Sequence, residues 1–186
     1  ERNIEEPSYK VVSEHSQFEV RQYEPMVIAK TKVNLAYRPA LNEGFRRLAR
    51  YIFGDNKSRK KLPMTTPVIS QDGEAEPLPM TAPVLSVTQS ETQYWVYFVL
   101  PQNITLATAP IPNNPAVILE TVSLGKVAAI RFSGYGTESK ATQYTTQLKE
   151  LIRAAGYQAK GPFMLAQYNS PWVFPLLRRN EVLVQI

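Results

Sequence analysis

Proline placement is the strongest constraint on how this chain can fold. Most of the fifteen prolines among its 186 residues cluster between positions 63 and 115, where they separate short apolar runs. Because proline lacks an amide donor and breaks a helix interior, this pattern argues against a helical bundle. Within the cluster, LPMTTPV at 62–68 is followed by LPMTAPV at 78–84. We interpret the two phrases as matching strand entries in one wall of a barrel, since each proline holds the preceding residue extended.

Two segments outside the proline cluster predict amphipathic helices, over 39–54 and 138–156. Each has apolar residues at the 3.6-residue period and ends in a glycine that suits a helix stop. The apolar positions are Leu41, Phe45, Leu48, Ala49 and Ile52 in the first segment, and Ala141, Tyr144, Leu148, Leu151, Ile152 and Ala155 in the second.

The rest of the chain predicts β-strands, because β-branched and aromatic runs are bounded by Pro, Gly or Asn. The predicted strands cover 17–23, 26–33, 93–100, 116–124, 126–134, 163–169 and 181–186, with short strands after the two proline phrases. An order of strand pair, helix and strand pair occurs twice, and identical apolar residues recur 100 positions apart, as at Leu48 and Leu148. We therefore predict one α+β domain over 1–186, a distorted antiparallel β-barrel with two flanking helices and a pseudo-twofold repeat, with halves near 9–100 and 116–186.

Composition narrows the class of protein. The chain has no cysteine, and no run approaches the roughly 18 apolar residues of a membrane span. We expect a soluble protein, and a start at Glu1 rather than Met is compatible with leader removal. The sequence has no Gly-rich phosphate loop, no Gly-x-Ser-x-Gly elbow and one histidine, so we assign no catalytic residue.

Several motifs together resemble the SOUL haem-binding family over nearly the whole chain. They are FEVRQYEP near the start, GFRRLARYIFGDN on the first helix, KLPMTTPV, YFVLP, RFSGY, YNSP and the terminal RRNEV. The resemblance implies a two-helix distorted barrel, similar also to GyrI-like effector-binding domains, and binding of haem or another tetrapyrrole. One departure is Leu183, where the family usually has tryptophan.

Haem is an apolar ring with two carboxylates, so it requires an apolar surface edged by positive charge. Arginines on the first helix provide charge-assisted donors for propionates. The resemblance implies that haem lies against this helix, where Phe45, Ala49 and Arg50 occupy matching positions. The candidate ligand-binding residues on this helix are Phe45, Arg46, Ala49, Arg50 and Phe53. A solvated basic helix face is the alternative interpretation.

The second part of the candidate site precedes RRNEV, where the resemblance implies a loop near haem. This loop is NSPWVFPLLRR, which is more apolar than a surface turn requires. Its candidate ligand-binding residues are Trp172, Val173, Phe174 and Leu177. Alternatively, Trp172 and Phe174 plug one end of the barrel.

An axial iron ligand is weakly indicated. Some family members have histidine in the first strand motif, but this chain has Gln22, which is not a haem-iron ligand. The candidates that remain are His15, Met64 and Met80, of which both methionines also suit core packing. We expect histidine to ligate the haem iron weakly or not at all.

Two other functions stay open. A GyrI-like site would use a buried carboxylate to bind or hydrolyse a cationic small molecule, with Glu19, Glu24 and Glu120 as candidates. The formal net charge of +5 and the basic stretch from Arg46 to Lys61 would instead suit an anionic partner. No nucleic-acid motif accompanies these charges, so we expect no nucleic-acid partner.

Overall fold

The computed structural model describes residues 5–72, 93–169 and 173–186. The described residues form two α-helices, α1 (Tyr37–Ile52) and α2 (Glu138–Ala154), and nine β-strands. The strands are β1 (Tyr9–Glu14), β2 (Glu19–Tyr23), β3 (Met26–Val33), β4 (Val68–Asp72), β5 (Tyr94–Val99), β6 (Ile118–Val122), β7 (Gly125–Phe132), β8 (Met164–Gln167) and β9 (Asn180–Gln185).

All nine described strands join one antiparallel sheet in the order β1-β2-β7-β9-β8-β4-β5-β3-β6. The sheet curls into a half-barrel. Helix α1 packs over β3 and β5, and α2 packs over β7 and β9. Side chains of alternate register face away from the helices and form a second apolar layer, which includes Ile28, Ile69 and Leu183. The α+β fold with two flanking helices is confirmed.

The strand order is symmetric about the contact between β8 and β4. From that contact outwards the order is β8, β9, β7, β2 on one side and β4, β5, β3, β6 on the other, and β1 adds an edge strand beside β2 that has no counterpart. Residues 100 positions apart lie in equivalent elements. Leu48 and Leu148, for example, are both fully buried on α1 and α2. The pseudo-twofold repeat is therefore visible in the topology.

The first two strands of each repeat, which follow one another along the chain, do not form a hairpin, whereas the last two strands of each repeat do pair, β4 with β5 and β8 with β9. Strand β2 pairs with β7 and β1, whereas β3 pairs with β5 and β6. Only Glu24 and Pro25 connect β2 to β3, and a two-residue hairpin loop usually needs positive φ, which proline cannot adopt. The first strand of each repeat crosses to the other half instead, which ties the halves together.

Element boundaries follow the local signals closely. Gly54 and Gly156 follow the two helices with φ of 119° and 86°, as helix stops do. Strand β4 begins at Val68, the last residue of the first proline phrase, and the Thr65 hydroxyl donates to the Val99 carbonyl. The second phrase lies outside the described residues. Strand β1 was not predicted, because much of it is exposed and it lacks a buried face.

Neither described helix is long and apolar enough to cross a lipid bilayer.

Candidate ligand-binding site

The C-terminal half of α1 carries the first part of the predicted site. The Phe45 ring meets Phe98 edge-on, with 5.3 Å between the centroids, so β5 fixes one edge of a ring that stays partly exposed. Ala49 lies one turn further and is buried, and Phe53 follows the last turn with 59% of its surface exposed. Positions four apart share a helix face, so these residues form one strip. The strip presents two aromatic side chains to solvent.

Close packing of α1 on β5 fixes the distance between this strip and the sheet. A Cβ atom added at Gly44 would lie 2.4 Å from Val96 Cγ2, which is closer than real contacts allow. The helix therefore approaches the sheet at a point where only glycine fits. The other residues of the buried face are Ala40, Leu48, Tyr51 and Ile52.

The predicted arginines on α1 differ in how far their charges are already compensated. Arg46 donates to Glu43 at 2.7 and 2.9 Å, and Arg47 Nε donates to the same carboxylate at 3.0 Å. Hydrogen bonds from Arg46 are the main cause that lowers the pKa of Glu43 to about 2. Arg50 has a looser partner, because its Nε lies 3.6 Å from Asp55 Oδ2 and both side chains are substantially exposed. Arg50 is therefore the better placed of the predicted arginines to pair with a carboxylate ligand.

The second part of the predicted site is a short apolar segment before β9. Phe174 is 63% exposed, and a single 3-10 turn over Pro175–Leu177 leaves Leu176 and Leu177 even more exposed. Val173 is half-buried, and Trp172 lies outside the described residues. Leu176 was missed by the sequence prediction, although it continues the same apolar run.

This segment is anchored to the connection between β7 and α2. The Gly134 amide donates to the Pro175 carbonyl at 2.9 Å, and Arg178 Nε donates to the Val173 carbonyl at the same distance. The Arg178 guanidinium lies over the Tyr135 ring at 4.7 Å. The first part of the predicted site packs on β5, whereas the second part is held by the connection between β7 and α2. The assignment of both parts to one ligand site stays a prediction.

The two candidate iron ligands within the described residues, His15 and Met64, lie outside α1 and outside the segment before β9. His15 is exposed and stacks on Phe18 with 4.3 Å between ring centroids. Met64 packs against the core beneath α1, and Met80 lies outside the described residues. Gln22 is exposed on β2. Over 5–72, 93–169 and 173–186 there is no group of three His, Cys, Asp or Glu side chains that could hold a metal ion.

A buried ion cluster that the sequence prediction missed lies on the sheet face opposite the helices. Glu181 is fully buried on β9 and is bound by both terminal nitrogens of Arg21 on β2, with Nη1 2.9 Å from Oε1. Arg21 also donates to Tyr23 at 2.9 Å and to Glu19 at 2.6 Å. Burial acts to raise the pKa of the Glu181 carboxyl, but hydrogen bonds and charge from Arg21 outweigh it and hold this pKa below its ordinary value. The cluster joins the two ends of the chain.

The three carboxylates predicted for a buried cation site are not buried. Glu19 pairs with Arg21 at the edge of the cluster, and Glu24 is exposed. Glu120 is 46% exposed and pairs with Lys30 at 2.6 Å. Among the strand side chains that the structure describes, the buried carboxylate is Glu181, which Arg21 neutralises. The prediction failed because strand alternation alone does not reveal which face of an isolated strand is covered.

A cavity of about 270 Å³ opens beside the start of β3. Its apolar lining includes Met26, Val99 and Leu100, and its polar lining includes Glu5, Glu6 and Glu24. Among the described residues that line it there is no lysine, arginine or histidine. Glu6 is compensated by Arg179 at 3.1 Å from outside the cavity. The cavity is therefore apolar with an acidic edge.

Solved structures share this fold at low sequence identity. A crystal structure of a hydrolase from Listeria innocua aligns with a TM-score of 0.59 and 9% identity, covering 94% of this chain and 93% of that one. The crystal structure of the EcmrR C-terminal domain aligns with a TM-score of 0.62 and 9% identity, covering 91% of this chain and 96% of that one. These likenesses define the class of fold alone, a two-helix α+β half-barrel.

Sequence comparison defines the family within that class. The family model described as SOUL heme-binding protein matches residues 4–185, so the chain belongs to the SOUL family. Heme-binding protein 2 of Mus musculus is 28% identical over 96% of this chain and 83% of its own length. Heme-binding protein 1 of Xenopus laevis is 26% identical over 89% of this chain and 81% of its own length.

Proposed function

We propose that the chain binds haem or a related tetrapyrrole, as a non-enzymatic carrier, buffer or sensor. Family membership and relatives named heme-binding proteins support this function. The structural observation that carries the assignment to α1 is the exposed strip of Phe45 and Phe53, beside Arg50. A tetrapyrrole ring would bury these aromatic faces, and Arg50 would pair a propionate.

The residues present fit such a ligand in two respects and lack a third. An apolar surface and an adjacent cation are present on α1, and Phe174 and Leu177 offer a second apolar surface. The exposed Gln22 supplies no iron ligand where some family members have histidine. We therefore propose binding dominated by apolar contacts and propionate pairing rather than by a histidine–iron bond.

A hemin titration followed at the Soret band tests the proposal. Phe45→Ala should weaken binding up to about tenfold, because fully burying an aromatic side chain contributes roughly 1.5–3 kcal/mol and only the exposed 42% of Phe45 would be newly buried. Arg50→Ala should weaken it about fivefold through loss of an exposed charge-assisted contact. Arg153→Ala is the matched control, because Arg153 is an exposed arginine in the last turn of α2.

Two results would contradict different parts of the proposal. Hemin uptake that does not saturate would remove the function. Saturable binding with equal affinity in the Phe45, Arg50 and Arg153 variants would keep the function but move the site away from α1. A Phe174→Ala variant that weakens binding would support participation of the segment before β9.

The acidic-edged cavity favours one alternative, the binding of a small apolar cation. The described residues that line this apolar cavity include three carboxylates and no basic side chain, although the chain carries a net charge of +5. Glu5 Oε1 accepts from the Gln102 amide at 2.6 Å and Glu6 pairs with Arg179, so Glu24 is the proposed partner of a cation. A cationic fluorescent dye that binds saturably, and binds more weakly to Glu24→Gln, would support this function. Equal dye binding by the variant would remove it.

A further inference from the structure

The turn that follows α1 concentrates positive charge on an exposed surface. Five exposed cations occur within twelve residues, against one carboxylate, Asp55. We call this surface the basic platform and include in it two exposed apolar residues that lie beside the cations. Its members are Arg50, Phe53, Lys57, Arg59, Lys60, Lys61 and Ile111.

Hydrogen bonds hold the basic platform in one conformation. Asn56 is buried at the centre of the turn, and its Nδ2 donates to the carbonyls of Tyr51 at 3.1 Å and Lys60 at 2.8 Å. Its Oδ1 accepts from the Lys60 amide at 3.0 Å, and the Leu62 amide donates to the Ile52 carbonyl at 2.7 Å. Because both ends of the turn are fixed to α1, the cations are carried by an ordered backbone.

Two large apolar side chains are exposed next to these cations. Ile111 is 63% exposed, and its carbonyl accepts from the Lys57 amide at 2.9 Å. Phe53 lines the same open recess as Lys57, Arg59 and Lys61. Apolar groups surrounded by cations make a surface that is amphipathic over a short distance.

The single carboxylate of the turn does not cancel this charge. Asp55 Oδ2 faces Arg50 at 3.6 Å, and its Oδ1 accepts from Asn113 Nδ2 at 3.0 Å. The four remaining cations of the basic platform therefore set its electrostatic field.

We infer that the basic platform docks on an anionic lipid surface. Lysine and arginine attract acidic headgroups, and large apolar side chains such as Phe53 and Ile111 can enter the boundary between headgroups and acyl chains. Nucleic acid would also attract the cations through its phosphates, but backbone contacts of that kind give no role to an exposed isoleucine. The pairing of charge with exposed aliphatic surface favours lipid.

This inference does not rest on haem binding. Phe53 and Arg50 belong to both proposed surfaces, so the test uses members of the basic platform that are outside the proposed haem site. Lys57, Lys61 and Ile111 meet this condition.

Co-sedimentation of the ligand-free full chain with vesicles measures docking directly. Vesicles of phosphatidylcholine alone are compared with vesicles that also contain phosphatidylglycerol. A Lys57→Glu/Lys61→Glu variant should bind the anionic vesicles at least about thirtyfold more weakly, because it replaces attraction by repulsion at two positions. Ile111→Ser should bind about fivefold more weakly, because it removes apolar insertion and leaves the carbonyl contact with Lys57.

A matched charge control separates docking from overall charge. Lys10→Glu/Lys149→Glu changes the net charge by the same amount at exposed positions on β1 and α2. This control should keep most of the binding. Equal losses in the two double variants, or no preference of the unaltered chain for anionic vesicles, would overturn the inference. Comparable binding to single-stranded DNA together with an unaffected Ile111→Ser variant would assign the surface to nucleic acid instead and would also overturn it.

Discussion

Replacing Glu181 by glutamine tests whether the buried ion cluster stabilises the fold. The Glu181 side chain is fully buried and that of Arg21 is 2% exposed, so the substitution removes one charge and leaves its partner inside the protein. Breaking one side of a buried ion pair destabilises a protein by about 3–5 kcal/mol. Glu181→Gln should therefore destabilise the fold strongly, although it hardly alters side-chain volume.

The lower end of that range follows from what remains around Arg21. Its Nε stays 2.6 Å from Glu19, whose side chain is 29% exposed, so the guanidinium keeps one partner at the edge of the cluster. We therefore expect a loss of about 3 kcal/mol in the free energy of unfolding, or roughly 6–12 °C in Tm for a chain of this size.

The pH dependence has a defined direction. The pKa of Glu181 is lower in the folded chain than its ordinary value of 4.5. Its stabilising contribution is therefore fully present above pH 4.5 and is lost as the pH falls towards the folded-state pKa. The difference in unfolding free energy between the unaltered chain and Glu181→Gln should be constant near neutral pH and shrink on acidification.

Urea unfolding followed by circular dichroism measures these differences. Glu120→Gln is the control, because the Lys30–Glu120 pair has a short 2.6 Å contact at a half-exposed position and should contribute less than about 1 kcal/mol. The double variant Arg21→Met/Glu181→Leu should be more stable than either single charge-removing variant, because no buried charge is left unpaired. A loss below about 1 kcal/mol in Glu181→Gln, or an additive double variant, would refute the reasoning.

Three further substitutions test the packing of the helices and the first proline phrase. Gly44→Ala should destabilise the chain by about 1–3 kcal/mol in urea unfolding, because its Cβ would meet Val96 at 2.4 Å, and an unchanged midpoint would contradict the close approach. Thr137→Ala should cost about 1 kcal/mol while Thr137→Ser retains the cap, since the hydroxyl accepts from the Lys140 amide at 3.2 Å; equal losses would argue against capping. Met64→Ala should lower Tm, with a loss near 2 kcal/mol because Met64 is only partly buried, and an unaltered Tm would oppose a packing role.

The fold was predictable to the extent that local signals decide it. Both helices show the 3.6-residue period and glycine stops, and their observed bounds differ from the predicted ones by two residues or fewer. Strand pairing was less predictable, because a strand such as β2 carries no local record of its partner. Its crossing to β7 follows from Pro25 and from the repeat, which become informative only when the whole sheet is considered.

The ion cluster shows why polar residues were harder to interpret than apolar ones. Arg21 and Glu181 each lie in an alternating strand, where a charged residue usually indicates the solvent face. Both instead face the interior of the half-barrel, where each side chain compensates the buried charge of the other. Such a pair cannot be recognised from either strand alone, because the compensating charge is 160 residues away.

The position of the ion cluster distinguishes the structural role of two family motifs from the requirements of ligand binding. Arg21 and Tyr23 come from the motif near the start of the chain, and Arg179 and Glu181 come from the motif at its end. In the structure they meet, since Arg21 contacts Tyr23 and Glu181, while Arg179 Nη2 lies 3.5 Å from Glu181 Oε1. Side chains of the two motifs therefore connect β2 to β9 across the intervening strand β7, on the sheet face away from the helices. We expect Glu181→Gln to reduce stability while leaving the hemin affinity of the folded fraction unchanged, and Phe45→Ala to weaken hemin binding with a smaller loss of stability, about 1 kcal/mol from its ring contact with Phe98.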